Sequence, residues 1–334
     1  MLSFKKGTPI AIINGGKYDQ EIIHICNVDE VCCGACGPAC RVAKRPEDRC
    51  CDDCNGGQCL INNNPLDVLS EDYIRSHKKK LTREEMKILK NAFDDGYMDE
   101  DEKGGELEDI FNAAMRKVKR ESEQEFKIWD QGIVQPLVNF NETFRYYIAG
   151  PTGSGKSYYI GMLLKTMRKV CRNKKIFVFS DVDEDPALDS VKRITRLKLD
   201  DSLLDKKPIN PVKLRDSVCV FDDIDSIQNK KLQDYVQKLR DSLLKRGRHE
   251  NISVIVTAHL MSDYKNTRII MNEAGAITFF PKSGATDGIK HVLKKYVGMT
   301  KTQIDKVFLL PSRWVTVFKN APQYVMYDKG VYLL

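Results

Sequence analysis

Gly150-Pro151-Thr152-Gly153-Ser154-Gly155-Lys156-Ser157 is the stretch that decides the fold. Its spacing, G-x-x-x-x-G-K-[ST], is that of a P-loop. Glycines at 150, 153 and 155 permit backbone conformations in which successive N–H groups converge on an anion. Before the loop stands Tyr146-Tyr147-Ile148-Ala149, short and apolar enough for a buried strand. After it, Ile160, Leu163, Leu164, Met167 and Val170 recur at helical spacing. A helix starting at the loop turns its positive end toward the same anion. All eight residues, Gly150 through Ser157, are therefore expected to hold the phosphates of ATP. Lys156 is expected to reach the β- and γ-phosphates, and the Ser157 hydroxyl to bind Mg²⁺. A glycine turn without a ligand is the bland alternative, and the flanking strand and helix weigh against it.

Outward from the loop, residues 176–179, 218–221, 252–257 and 276–280 are short, β-branched or aromatic runs bounded by polar residues. Helical patterns, notably over residues 230–246, separate several of them. Continuous apolar strands joined by helices predict an α/β fold, a P-loop NTPase with a mainly parallel sheet covered by helices on both faces. Residues 314–318, 323–327 and 331–334 suggest an antiparallel extension of that sheet. Val218-Cys219-Val220-Phe221 runs into Asp222-Asp223, the Walker B arrangement. A carboxylate at the tip of a neighbouring parallel strand lies where strand ends open into the ligand crevice. Asp222 is expected to hold Mg²⁺, and Asp223 to orient or deprotonate the attacking water. Asp225 is a weaker candidate for the site, with capping of the next helix as the alternative. His259 closes the 252–258 strand and is expected to contact the γ-phosphate or the attacking water, a helix-capping or core histidine being the alternative. Arg246, Arg248 and Arg268 are candidates to reach a neighbouring subunit's nucleotide, since an arginine supplied in trans stabilises charge on a transferring phosphoryl group.

The 334-residue chain is 42% hydrophobic and 30% charged, a globular composition long enough for one large domain and an appendage. Its net charge of +7 permits a polyanionic partner without requiring one. No apolar run is long enough to span a bilayer, and the opening residues lack the apolar core of a secretory signal, so an intracellular protein is expected. Composition divides the chain into a Cys-rich module at 1–62, a charged helical extension at 63–140 and the motor segment at 141–334. Helical patterns in the extension lie around 70–93 and 107–126, separated by an acidic, glycine-broken loop at 94–105 whose oxygens do not fall at EF-hand spacing. All cysteines but Cys171 and Cys219 lie between Cys26 and Cys59. The Cys33/Cys36 and Cys51/Cys54 knuckles approach four-cysteine zinc spacing, and a structural Zn²⁺ would order a segment poor in apolar residues. A disulfide framework, an iron–sulfur cluster and unligated thiols are the alternatives. Cys171 and Cys219 read as ordinary buried thiols.

With these residues in hand, a resemblance becomes specific. Gly-Pro-Thr-Gly-Ser-Gly-Lys-Ser, Val220-Phe221-Asp222-Asp223, Lys245-Arg246-Gly247-Arg248-His249 and Val256-Thr257-Ala258-His259 occur in that order. Thr267-Arg268, Asn272, Phe280-Pro281 and Pro322-Gln323-Tyr324-Val325 follow. From about residue 140 onward the chain resembles the genome-packaging ATPases of nucleocytoplasmic large DNA viruses, the poxvirus-type packaging ATPases of the FtsK–HerA group. The resemblance implies a ring-forming motor that translocates double-stranded DNA into a preformed capsid, with capsid or portal-vertex proteins as partners, in the viral factory of the host cytoplasm. It places His259 at the sensor position. Many relatives in the wider superfamily carry Asp-Glu in Walker B, whereas this chain has Asp222-Asp223. A nucleotide-gated assembly or docking protein and a replication helicase are the rival readings of the same core. A small-molecule kinase is disfavoured, because no lid or second substrate site is evident. Lys230, Lys231, Lys290, His291, Lys294 and Lys295 are basic positions suited to a DNA backbone.

Overall fold

A run of β-branched and aromatic residues reads as a strand because such side chains pack on a pleated, buried surface, and most of the apolar runs above become strands. The computed structural model describes residues 2–4, 7–25, 125–138, 142–262, 264–283 and 286–334. The N-terminal strands are β1 (Leu2–Ser3), β2 (Thr8–Asn14) and β3 (Ile22–Ile25), followed by β4 (Glu125–Lys127) and β5 (Ile133–Pro136). The chain then runs β6 (Arg145–Ala149), α1 (Lys156–Val170), β7 (Lys175–Ser180), α2 (Pro186–Asp189), β8 (Ile194–Lys198) and β9 (Ser217–Phe221). It continues through α3 (Lys230–Arg246), β10 (Ser253–Ala258), α4 (Tyr264–Glu273), β11 (Ala276–Phe279), α5 (Thr286–Val292) and α6 (Lys301–Leu309). It closes with β12 (Val315–Phe318), β13 (Tyr324–Tyr327) and β14 (Gly330–Leu333).

The main sheet has ten strands in the order β4-β14-β13-β12-β11-β6-β10-β9-β7-β8. From β11 to β8 every pairing is parallel, and from β11 to β4 every pairing is antiparallel. The expected parallel core and antiparallel extension are both present. Side chains alternate across a strand, so β6 divides its residues between two cores. Tyr147 and Ala149 join Leu232, Val236, Leu239 and Leu243 of α3 on one face. Tyr146 and Ile148 join Tyr159, Ile160, Leu163, Leu164 and Met167 of α1 on the other. Val170, drawn into the same helical stripe, is 57% exposed at the last turn.

Several elements depart from the sequence expectation. Glu125–Lys127 is the outer strand of the main sheet, paired with β14, so the helical pattern drawn through Phe126 does not reach that residue. Ile133–Pro136 pairs with β2 in a second, four-stranded sheet of order β1-β3-β2-β5. Ile10, Ile13, Ile23 and Val134 of that sheet share one hydrophobic core with α1. β8 shows no clear apolar period in the sequence because Arg196 and Lys198 interrupt its apolar residues; they pair with Asp189 and Asp183 at the sheet edge, where charge blunts unpaired backbone. Cys219 is a buried free thiol raised to about 12 by burial, as read, whereas Cys171 is only half-buried. Cys33, Cys36, Cys51 and Cys54, and the helical patterns at 70–93 and 107–124, lie outside the described residues. Among the described residues, no helix is long and apolar enough to cross a membrane.

Candidate nucleotide site

Parallel pairing brings the C-terminal tips of β6, β9 and β10 to one edge, with Ala149 beside Ala258 and Phe221 beside Val256. The P-loop leaves that edge directly. Gly150 N–H donates to Ala258 O at 3.1 Å, and Ser154 N–H donates to Pro151 O at 3.1 Å. Gly153 and Gly155 take φ of +75° and +111°, the left-handed region that favours glycine. At Gly150 the need is space: a Cβ there would lie 2.6 Å from the Phe280 ring and 2.7 Å from Ser154 Oγ. Gly155 is the N-cap of α1, so Lys156 and Ser157 open the helix with N–H groups that have no intrahelical acceptor. No acidic residue stands in that first turn to compete with an anion.

Lys156 is 6% exposed, and its ammonium is drawn inward. It donates to Gly150 O at 2.8 Å and to His259 Nδ1 at 3.4 Å, and it pairs with Asp223 Oδ2 at 3.2 Å. An ammonium has no acceptor, so Nδ1 of His259 accepts and its proton sits on Nε2. That nitrogen faces Asp223 Oδ2 at 3.3 Å. Lys156, His259 and Asp223 thus close a triangle at the place expected for the terminal phosphate.

Asp222 is 5% exposed and fixed from both sides, with Oδ1 accepting from Thr257 Oγ1 at 3.0 Å and Oδ2 from Ser180 Oγ at 3.3 Å. Burial first, and the neighbouring Asp223 charge second, push its carboxyl up to about 6. Asp223 sits at φ 45°, ψ 40°, a left-handed conformation costly for a residue with a Cβ. Its N–H donates to Thr257 Oγ1 at 2.7 Å, and its Oδ1 lies 3.0 Å from the same hydroxyl. One hydroxyl therefore sets both carboxylates.

Ser157 and Asp222 offer hard oxygen donors, which suit Mg²⁺. Burial and the Asp223 charge disfavour the ionised Asp222 carboxylate, and a divalent cation would favour it, so the chemistry of the donor set fits the ion. Among the described residues, no three His, Cys, Asp or Glu side chains form a metal cluster. A Mg²⁺ that shares its shell with phosphates needs only one or two protein ligands. A cleft of about 360 Å³, lined by Gly150, Pro151, His259, Leu260 and Phe280 among others, opens beside the loop.

Not every candidate converges. Arg248 is exposed in the turn Gly247–Glu250, before β10 and hence at the far edge of the sheet from the loop. Arg246 ends α3 at the same side, and Arg268 is exposed on α4. None of the three belongs to the Lys156–Asp223–His259 cluster within one chain. Asp225 does not cap α3; the Asn229 side chain does, accepting from Lys231 and Leu232 N–H. Two contributors escaped the sequence reading. Thr257 lies inside a quoted motif but looked like a β-branched strand residue. Arg313 comes from far along the chain and donates to Gly153 O and Ser154 O, each at 2.8 Å.

No protein-family model matches the chain. Among solved structures, B204, the DNA-packaging ATPase from Sulfolobus Turreted Icosahedral Virus, is 18% identical, with 57% of this chain and 98% of B204 covered at a TM-score of 0.42. The pCW3 conjugation coupling protein TcpA is 12% identical, with 60% of this chain and 63% of TcpA covered at a TM-score of 0.40. The cytoplasmic domain of the Thermomonospora curvata Type VII secretion ATPase EccC is 14% identical, with 58% and 27% covered at a TM-score of 0.42. Among curated proteins, the uncharacterized protein V3 of Sputnik virophage is 45% identical over 186 residues, which span 55% of this chain and 74% of V3. At that identity, over that much of the relative, the chain belongs to the family of the virophage protein V3.

Proposed function

We propose that the protein is a Mg²⁺-dependent ATPase whose turnover moves double-stranded DNA during viral genome packaging. The observation that carries the hydrolytic half is the convergence of Lys156, Asp222, Asp223 and His259 at the mouth of a glycine-rich anion loop. ATP phosphates displace the Asp223 and His259 contacts of Lys156, because three oxyanion charges outcompete one carboxylate for the ammonium. Asp223, released, faces the attacking water and accepts its proton as the new O–P bond forms and the bond to the β-phosphate oxygen breaks. His259, on the same carboxylate, reports the change to the loop that follows β10. Ser157 and Asp222 would hold Mg²⁺, which when bound would neutralise charge on the phosphate oxygens.

The translocating half rests on the motif resemblance to viral packaging ATPases, and on exposed basic residues. Lys230 and Lys231 open α3; Lys290, His291, Lys294 and Lys295 line the α5 region, and all six are exposed. A phosphate backbone is attracted by such side chains without sequence preference. Within this reading the protein works as a homo-oligomeric ring with capsid partners in the host cytoplasm, Arg248 or Arg268 reaches a neighbour's nucleotide, and the Cys33, Cys36, Cys51 and Cys54 set holds a structural Zn²⁺. ATP turnover measured with and without double-stranded DNA, together with the oligomer mass, tests it. DNA-stimulated turnover by an oligomer is the expected result. A monomer with slow, DNA-indifferent turnover would point to a nucleotide-gated docking protein, and displacement of a forked strand to a helicase.

A further inference from the structure

The P-loop is shaped from outside itself. In a planar trans peptide the C=O and the following N–H point in opposite directions. Arg313 Nε donates to Ser154 O and its Nη2 to Gly153 O, both at 2.8 Å, so one guanidinium fixes the planes of two consecutive peptides. Their N–H groups, on Ser154 and Gly155, are thereby turned away from Arg313. Ser154 N–H closes the loop's own turn on Pro151 O, and Gly155 N–H is left on the anion side. The guanidinium lies along Gly155, where a Cβ would stand 3.4–3.6 Å from its Nε, Cζ and Nη2 atoms. Within the loop itself, Lys156 Nζ holds the carbonyl of Gly150 at the opposite end, while Ser154 Oγ is buried without a hydrogen-bond partner.

Arg313 is itself held in place. Ser312 Oγ donates to Trp314 O at 2.6 Å, and the Trp314 ring packs edge-on against Tyr159 of α1 at 4.9 Å. Tyr159 and Thr316 join through their hydroxyls at 2.7 Å. The start of β12 is thus pinned to the helix that the loop opens. We infer that Arg313 is a positioning residue for nucleotide binding: it presents the Gly155 N–H to the phosphates and ties the antiparallel extension to the nucleotide site. The inference rests on the nucleotide-site reading. It requires the planar fork of arginine, because two carbonyls at fixed spacing match Nε and Nη2 and not a single ammonium.

The test is equilibrium binding of Mg-ATPγS to the full chain, for wild type, Arg313→Ala and Arg313→Lys, with millimolar methylguanidinium added to the alanine variant. Hydrogen bonds from a charged donor predict a loss of affinity of about 10- to 100-fold in Arg313→Ala. Arg313→Lys should recover only part of it, methylguanidinium should recover more, and the melting temperature without nucleotide should stay near that of wild type. Affinity within twofold of wild type in Arg313→Ala overturns the inference. Full recovery in Arg313→Lys overturns it too, since a point charge would then suffice. If the alanine variant does not fold, the lysine variant alone decides between these outcomes. A wild-type protein that binds no Mg-ATPγS removes the nucleotide-site reading beneath it, a different failure from normal binding that ignores Arg313.

Discussion

Thr257 has one hydroxyl hydrogen and two carboxylates within 3.0 Å, Asp222 Oδ1 and Asp223 Oδ1. It also accepts the Asp223 N–H, so replacing it with an isosteric apolar residue leaves buried polar groups unmet. Thr257→Val is expected to lower ATP turnover by roughly 10- to 100-fold with little change in nucleotide affinity, a split that steady-state kinetics resolves. Asp222 gives a pH signature. Its folded-state carboxyl is raised from 3.8 to about 6 by burial and by Asp223. The protonated form therefore favours the fold. Its contribution is complete below about pH 4 and is lost as pH rises through 6, by up to roughly 3 kcal/mol. In urea unfolding without Mg²⁺ or nucleotide, Asp222→Asn should gain stability over wild type as pH rises from 4 to 7. Parallel curves would contradict the cause given. At this scale the sequence revealed residues whose chemistry is visible in a short motif, such as Lys156 and Asp222. It hid Thr257 because a buried threonine is also an ordinary strand former. It hid Arg313 because its partners are carbonyls on a loop 159 and 160 residues away.

Elements with strong apolar periodicity were legible, and those with mixed composition were not. α1 and α3 bury clear stripes, and the central strands are buried at almost every position. β8 alternates with charge at an edge, and β4 is three residues long, too short to carry a period. α2 is a single turn, yet it is well specified: Asp185 caps it and Pro186 opens it. It lies against α1 at Gly161, where a Cβ would meet Ala187 O at 2.8 Å. Backbone cannot yield as a flexible side chain can. Gly161→Val is therefore expected to cost about 1–3 kcal/mol and lower the thermal midpoint by several degrees in calorimetry. An unchanged midpoint would show that the two helices separate at no cost.

Over the whole molecule, the P-loop helix is held by more than the parallel sheet. Its inner face packs on a core that includes β2, near the start of the chain, and β5, just before β6, which pair with each other across more than a hundred residues of sequence. No local pattern announces such a pairing, so the sequence drew residues 125–138 into a separate extension. Ile13 and Ile23 are fully buried there. Ile13→Ala is expected to destabilise the protein by about 2–5 kcal/mol, measured by chemical unfolding, because the neighbouring side chains cannot fill the space. A cost below 1 kcal/mol would mean that the second sheet does not share the core of the main sheet. The cross-braced helix supplies a base for the site, where Lys156 lies against Asp223 and His259. Lys156→Ala, assayed beside wild type for Mg-dependent ATP turnover with double-stranded DNA present, reads that site most directly. Turnover should fall to background in the variant and be DNA-stimulated in wild type; turnover retained in Lys156→Ala would contradict the assignment.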